Sequence, residues 1–201
     1  MNMRATHDIA LFPLGTVLFP GGLLPLRIFE PRYVDMISRC MRQDELFGVV
    51  QIYQGTETSS TVHTAPIGTC ARIVDFETLA DGLLGLLCRG ERRFRILSAT
   101  RQEDGLNRAE VEWLAQPPVT PLDSAFTPLL PVLRRVIAEL DSVGRFVEPH
   151  YDDAEWVSFR LAEYLPLDLS AQQRLLEMED AHARLRLLAP LIDITRGGRS
   201  E

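Results

Sequence analysis

A change of rhythm near Ala115–Pro121 constrains this chain more than any other feature. Before it, short β-branched and aromatic runs are punctuated by Gly and Asp-Gly; after it, apolar residues recur at helical spacing. Strand and helix bury their side chains with different periods, two and 3.6, so one pattern cannot serve both. The reading is therefore an α+β chain with a strand-built subdomain over residues 1–117, a helical subdomain over 118–196 and a flexible tail at 197–201. At 201 residues, 46% of them hydrophobic, the chain is long enough to bury a core without disulfide staples.

In the first half, Ile9–Pro13 and Val17–Phe19 are apolar runs bounded by Pro and Gly, and Arg27–Phe29 is a third, all read as strands. Glu30-Pro31 then opens a helix, because proline at the first helical position lacks an N–H that would be unbonded there anyway. Tyr33, Met36, Ile37, Cys40 and Met41 fall on one face of it. Leu46–Tyr53 is a strongly apolar strand, and the polar Gly55–Thr64 reads as a mobile loop or hairpin tip. Thr69–Leu79 and Leu83–Cys88 flank Asp81-Gly82, a hairpin signal. A second hairpin, Phe94–Thr100 with Arg108–Leu114, turns at Glu103-Asp104-Gly105. Six to eight short strands with one helix between them suggest a closed or partly closed barrel, which hides its edges.

In the second half, Ser124–Leu140 carries a helical stripe in which Pro128 and Pro131 imply a late start or a kink, with Gly144 as the stop. Asp152 or Asp153 caps a helix through Tyr164. Ser170 with Gln173 matches a capping box that opens a helix through Leu176. Asp180 caps the last helix, whose expected buried stripe is Ala183, Leu187, Leu188 and Leu191.

Charge narrows the function. The net charge of -7 opposes general nucleic-acid binding, which needs a basic surface to displace counterions. With no 18-residue apolar run and no leader-like hydrophobic segment, a soluble cytoplasmic protein without membrane contact is expected. Three widely spaced cysteines, Cys40, Cys70 and Cys88, read as reduced thiols. All 21 basic residues are Arg. Without lysine these residues cannot build a Walker A loop, a Schiff base or a Ser–Lys dyad.

No catalytic residue, metal ligand set or cofactor motif emerges. His7, His63, His150 and His182 are not paired at ligand spacing, and His150 with Asp152 and Asp153 reads as a polar loop and helix cap. Arg89, Arg92, Arg93 and Arg95 form a basic cluster; Arg93 and Arg95 share a strand face that could hold an anion, although pairing with Glu91 is the simpler reading.

The most specific stretch is Leu11-Phe12-Pro13-Leu14-Gly15, Phe19-Pro20-Gly21, Leu24-Pro25-Leu26 and then Ile28-Phe29-Glu30-Pro31-Arg32-Tyr33. It resembles the hallmark of the N-terminal substrate-recognition domain of the Lon protease family. Phe47–Val50, Gly68 through Ile73, Asp81-Gly82, Gly90 through Ile96 and Leu165-Pro166-Leu167 resemble later parts of that domain. The resemblance implies a PUA-like (LON domain-like) β-barrel with one inserted helix, followed by a C-terminal helical bundle. In full-length Lon proteins an ATPase module and a Ser–Lys peptidase follow; this chain ends first, so a free-standing reader with neither enzyme activity is expected.

By that resemblance the partner is an unfolded or exposed hydrophobic polypeptide segment, or a dedicated protein. The expected surface is an apolar cleft between barrel and helices fed by Phe19, Leu23, Leu24 and Phe29. Glu30, Arg32 and Tyr33 read first as a polar lock between strand and helix, with Arg27, Arg32 or Arg93 pairing to Glu30, and second as binding residues. A PUA-like barrel also admits nucleic-acid or modified-nucleotide binding, which would need an Arg face with an aromatic platform around Arg89–Arg95.

Overall fold

The computed structural model describes residues 5–54, 63–116 and 118–197. The chain divides into two compact units, Met1–Gln116 and Pro117–Glu201.

The first unit is a mixed sheet with one helix. Its elements are β1 (Thr6–Leu14), β2 (Leu23–Ile28), α1 (Pro31–Gln43), β3 (Phe47–Gln54), β4 (His63–Thr64), β5 (Ile67–Thr78), β6 (Leu84–Arg101) and β7 (Asn107–Trp113). The expected loop Gly55–Thr64 lies outside the described residues through position 62; its last two residues are β4.

Strands run in the order β1-β7-β6-β5-β3, and β1 also pairs with β3 in parallel, so hydrogen bonding closes into a ring. β2 lies off this path and pairs with β6. Closure explains why β1 reads as an apolar run from Ile9: it pairs with β7 up to Leu11 and with β3 from Leu11 on, and Ile9–Leu14 are buried on both faces. Its alternate residues serve two cores. Ile9 and Leu11 join Val50, Cys70, Phe94, Ala109 and Val111, a cluster drawn from every strand of the ring. Ala10, Phe12 and Leu14 join Tyr33, Met36, Ile37 and Cys40 of α1, with Phe47, Leu86 and Cys88.

Several expectations change. Val17–Phe19 is not a strand: the segment is buried but bonds outside any ladder, Gly21 N–H to the Gly90 carbonyl at 2.7 Å and Gly22 N–H to the Phe19 carbonyl at 2.9 Å. The two runs Leu83–Cys88 and Phe94–Thr100 are one 18-residue strand, β6, which pairs with β2 and β5 early and with β5 and β7 late. A change of partner hides that continuity from a pattern search. Both hairpins turn where expected, on Gly82 and Gly105 at φ of +82° and +85°.

The second unit is helical: a 3-10 segment Ser124–Leu129, α2 (Leu130–Ala138), a 3-10 segment Asp141–Phe146, α3 (Ala154–Tyr164), α4 (Leu169–Glu177) and α5 (Ala181–Gly197). The prolines delay α2 as predicted, but it ends at Ala138, before Gly144. Asp153 caps α3, accepting from Glu155 N–H at 3.0 Å. Asp168, not Ser170, caps α4: its carboxylate accepts from Ala171 N–H at 2.7 Å and from the Ser170 hydroxyl at 2.6 Å, outcompeting the shorter serine.

Asp180 caps α5, but the buried stripe is Ala181, Arg184, Leu185, Leu188 and Ile192; Leu187 and Leu191 are exposed. The stripe misleads because a charge occupies it. Arg184 is fully buried, bonded to the Ser158 hydroxyl at 3.0 Å, the Met178 carbonyl at 2.6 Å and the Glu155 carboxylate, and it lies over the Phe159 ring. No described helix is long and apolar enough to cross a membrane.

Candidate functional site

The Phe19–Tyr33 motif divides between packing and surface. Phe19 is wholly buried, so it cannot touch a client. Gly90 lets β6 pass against it, since a methyl group there would overlap the Phe19 carbonyl. Leu24 points into the core from β2 opposite Cys88, while Leu23 is half-buried opposite Arg89. Phe29, expected in a strand, follows β2 and is 59% exposed.

Glu30 is the extended N-cap residue of α1, held so by the proline that follows. Its carboxylate receives Arg32 Nη2 at 2.7 Å, while Arg32 Nη1 donates to the Gly105 carbonyl at 2.8 Å. The same guanidinium lies over the Tyr33 ring, which stacks on Phe12. Among the three arginines considered for Glu30, Arg32 takes the place; Arg27 pairs with Asp81. These contacts tie strand, helix and the β6–β7 turn together. Arg93, expected to share a strand face with Arg95, is 5% exposed and lies inside the sheet opposite Thr69.

A groove of about 220 Å³ lies between the end of α1 and β5, and none of its residues stands out in the sequence as a site. Cys40, Met41 and Asp44 form one wall, Arg72, Ile73 and Phe76 the other. Met41 belongs to the apolar stripe of α1, yet it is 42% exposed while Tyr33, Met36, Ile37 and Cys40 of the same stripe are buried. Phe76 is 59% exposed although it stands in a row with Leu86 of β6 and Leu26 of β2. A register irregularity between Ile73 and Asp75 shifts it; such bulges re-aim side chains. At the rim Arg72 binds Asp44 at 2.6 Å and Glu91 at 3.2 Å.

A second hollow of about 260 Å³ is polar, lined by His7, Asp8, Arg39, Glu45, Arg108 and Trp113 among others. Its charges are matched: Arg108 holds Asp8 at 2.7 Å and Arg39 reaches Glu45 at 3.7 Å. Trp113 is the aromatic beside the arginine cluster, but the Arg92 guanidinium sits 4.2 Å from its ring centre and the His7 ring 5.0 Å away. Its faces are thus in use. Among the described residues no three His, Cys, Asp or Glu converge as for a metal ion. His150 packs edge-on to Trp156.

The family described as "ATP-dependent protease La (LON) substrate-binding domain" matches residues 8–193. The chain belongs to this family. Among solved structures it is similar to the Lon N-terminal domain protein from Xanthomonas campestris, at 36% identity and a TM-score of 0.75, covering 92% of this chain and 98% of that one. The N-terminal domain of Mycobacterium avium complex Lon protease shares the fold, with a TM-score of 0.63 at 17% identity over 92% and 97% of the two chains. The Lon protease of Cytophaga hutchinsonii is 25% identical over 185 residues, which are 88% of this chain and 23% of that protein. The chain therefore spans about a quarter of the length of the curated relatives it matches. In this Lon-type unit the Glu-Pro-Arg-Tyr motif stands at the start of α1, and the groove stands at its end.

Proposed function

We propose that this Lon-type domain is a polypeptide-recognition module that binds unfolded or exposed hydrophobic segments, and that it performs no proteolysis or ATP hydrolysis of its own. The observation that carries the reading is the α1–β5 groove, where Met41 and Phe76 remain exposed on a unit whose other large apolar side chains are mostly buried. Exposed apolar side chains gathered at one concavity are the usual mark of a binding surface. Phe29 and Leu23 are the members of the hallmark motif still open to a partner; Glu30, Arg32, Tyr33 and Arg93 act by holding the surface in place. The closed ring of strands supports reading the first unit as a PUA-like β-barrel. The absence of lysine from these 201 residues supports the non-enzymatic part, since they cannot build a Walker A loop or a Ser–Lys dyad.

The test is suppression of aggregation of a thermally unfolded client, with and without ATP. The expected result is ATP-independent suppression that Met41→Ser with Phe76→Ser removes while the fold persists. A wild-type protein that neither binds nor protects any unfolded client sinks the reading.

A further inference from the structure

We infer that the open edge of β5 receives an extended polypeptide as an added strand, one whose apolar side chain enters the α1–β5 groove between two basic neighbours. This rests on the polypeptide-recognition reading above and specifies the chemistry of the guest and the geometry of its binding.

Three observations converge on it. First, β3 pairs with β5 only at Thr69–Ala71. From Arg72 to Thr78 β5 is paired with β6 on one side, and among the described residues no strand lies on the other. Second, the Leu79 N–H donates to the Leu83 carbonyl across the turn at 2.8 Å, so by alternation the Phe76 N–H points away from β6, where it donates at 2.9 Å to the carboxylate of Asp75. It therefore faces the open edge, and by strand alternation so does the amide of Thr78. The Asp75 carboxylate blunts an edge donor that a guest carbonyl would satisfy equally well, and the groove lies alongside for the guest side chain.

Third, the charges choose the guest. Asp75 and Glu77 flank Phe76 in β5 and by strand alternation belong to its opposite face, with Asp75 also bordering the groove; Asp44 and Glu45 stand at the end of α1. Arg72 is shared between Asp44 and Glu91, and Arg39 reaches Glu45, so the carboxylates around the groove outnumber these two guanidinium groups. A guest residue inserted beside Phe76 places its own two neighbours on the face of Asp75 and Glu77. Arg or Lys there is attracted and Glu repelled, so the recognised pattern is basic–apolar–basic in extended form.

The probe is a fluorescein-labelled decapeptide centred on Arg-Phe-Arg, compared with Glu-Phe-Glu and Arg-Ala-Arg versions by anisotropy. The Arg-Phe-Arg peptide is expected to bind at least about tenfold tighter than either. Backbone N-methylation at alternate positions separates strand addition from side-chain docking: one phase should abolish binding and the other spare it. Binding should also slow hydrogen exchange at the Phe76 and Thr78 amides. Asp44→Asn, Asp75→Asn and Glu77→Gln combined keep the local hydrogen bonds and should cost about tenfold for the basic peptide; circular dichroism checks the fold. Equal binding of both N-methylated phases, or of Glu-Phe-Glu, overturns the inference. If that happens while the wild-type protein still protects an unfolded client, the recognition reading stands and only the β5 edge is lost; failure of client protection itself removes both.

Discussion

Arg32 folds back over the first turn of α1 to meet Glu30, two residues before it, with 2.7 Å between Nη2 and Oε2. The pair is largely shielded, and the arginine also holds the Gly105 carbonyl. Removing one partner leaves the other charge poorly solvated, so Glu30→Gln and Arg32→Met should each destabilise the fold by about 1–3 kcal/mol. A double-mutant cycle by urea unfolding measures the coupling; additive losses would show that the two side chains act separately.

Gly90 and Gly15 make a contrast within one unit. A methyl at Gly90 overlaps backbone, the Phe19 carbonyl, whereas one at Gly15 meets nothing within 4 Å. Gly90→Ala should cost about 2 kcal/mol or more, since backbone cannot move aside as a side chain can. Gly15→Ala should change stability by no more than about 0.5 kcal/mol in either direction. Equal effects in chemical denaturation would refute the close approach.

The buried Arg184 should reveal itself by asymmetry. Glu155→Gln leaves a fully buried guanidinium without its carboxylate and should cost roughly 3 kcal/mol, whereas Arg184→Met removes the charge with it and should cost less. Thermal unfolding of both variants ranks them; the reverse order contradicts the account.

Burial pushes the Cys70 and Cys88 thiols up to about 12 from an ordinary 9.0, with the nearby Cys40 adding to the rise at Cys88. Above pH 9 the unfolded chain releases these protons while the folded one keeps them. Stability should therefore be unaffected by these groups below pH 9 and fall as pH rises from 9 toward 12. Cys70→Ala should flatten that decline. In the native protein at neutral pH, all three thiols should resist a disulfide reagent until the chain unfolds.

Asp180 is held below its ordinary 3.8, chiefly by the Ala183 N–H, at the start of α5. Its contribution is present above pH 3.8 and lost as pH falls through its lowered folded value. Asp180→Ala should lower Tm at pH 7, and the gap from wild type should close on acidification below that range. A gap independent of pH would mean the carboxylate charge is irrelevant to the cap.

Local signals were legible where a few neighbouring residues decide the outcome. Pro31 starts α1, Asp81-Gly82 and Gly105 turn the hairpins, and Asp153 and Asp180 cap their helices, each through contacts within a few positions. The α4 cap was misplaced by two residues because Asp168 and Ser170 are both competent, and only their actual hydrogen bond ranks them. The surface was harder. Phe19 and Phe76 are both phenylalanines of stretches read as strands, yet one is wholly buried and the other open, since depth depends on distant chain: Gly90 against Phe19, and the absence of a β3 partner beside Phe76.

By itself, then, the sequence determined the strand-then-helix order, the turns, the family motif and the exclusion of lysine chemistry, all of which follow from covalent geometry and residue type at short range. Tertiary structure alone decided that β1 closes a ring with β3, that β6 serves three partners, that Arg184 lies in a helix core, and that the α1–β5 groove is open. Those outcomes depend on which surfaces meet across 20 to 100 residues of chain. An apolar pattern specifies that a face seeks burial, but only the completed packing decides which faces find a partner.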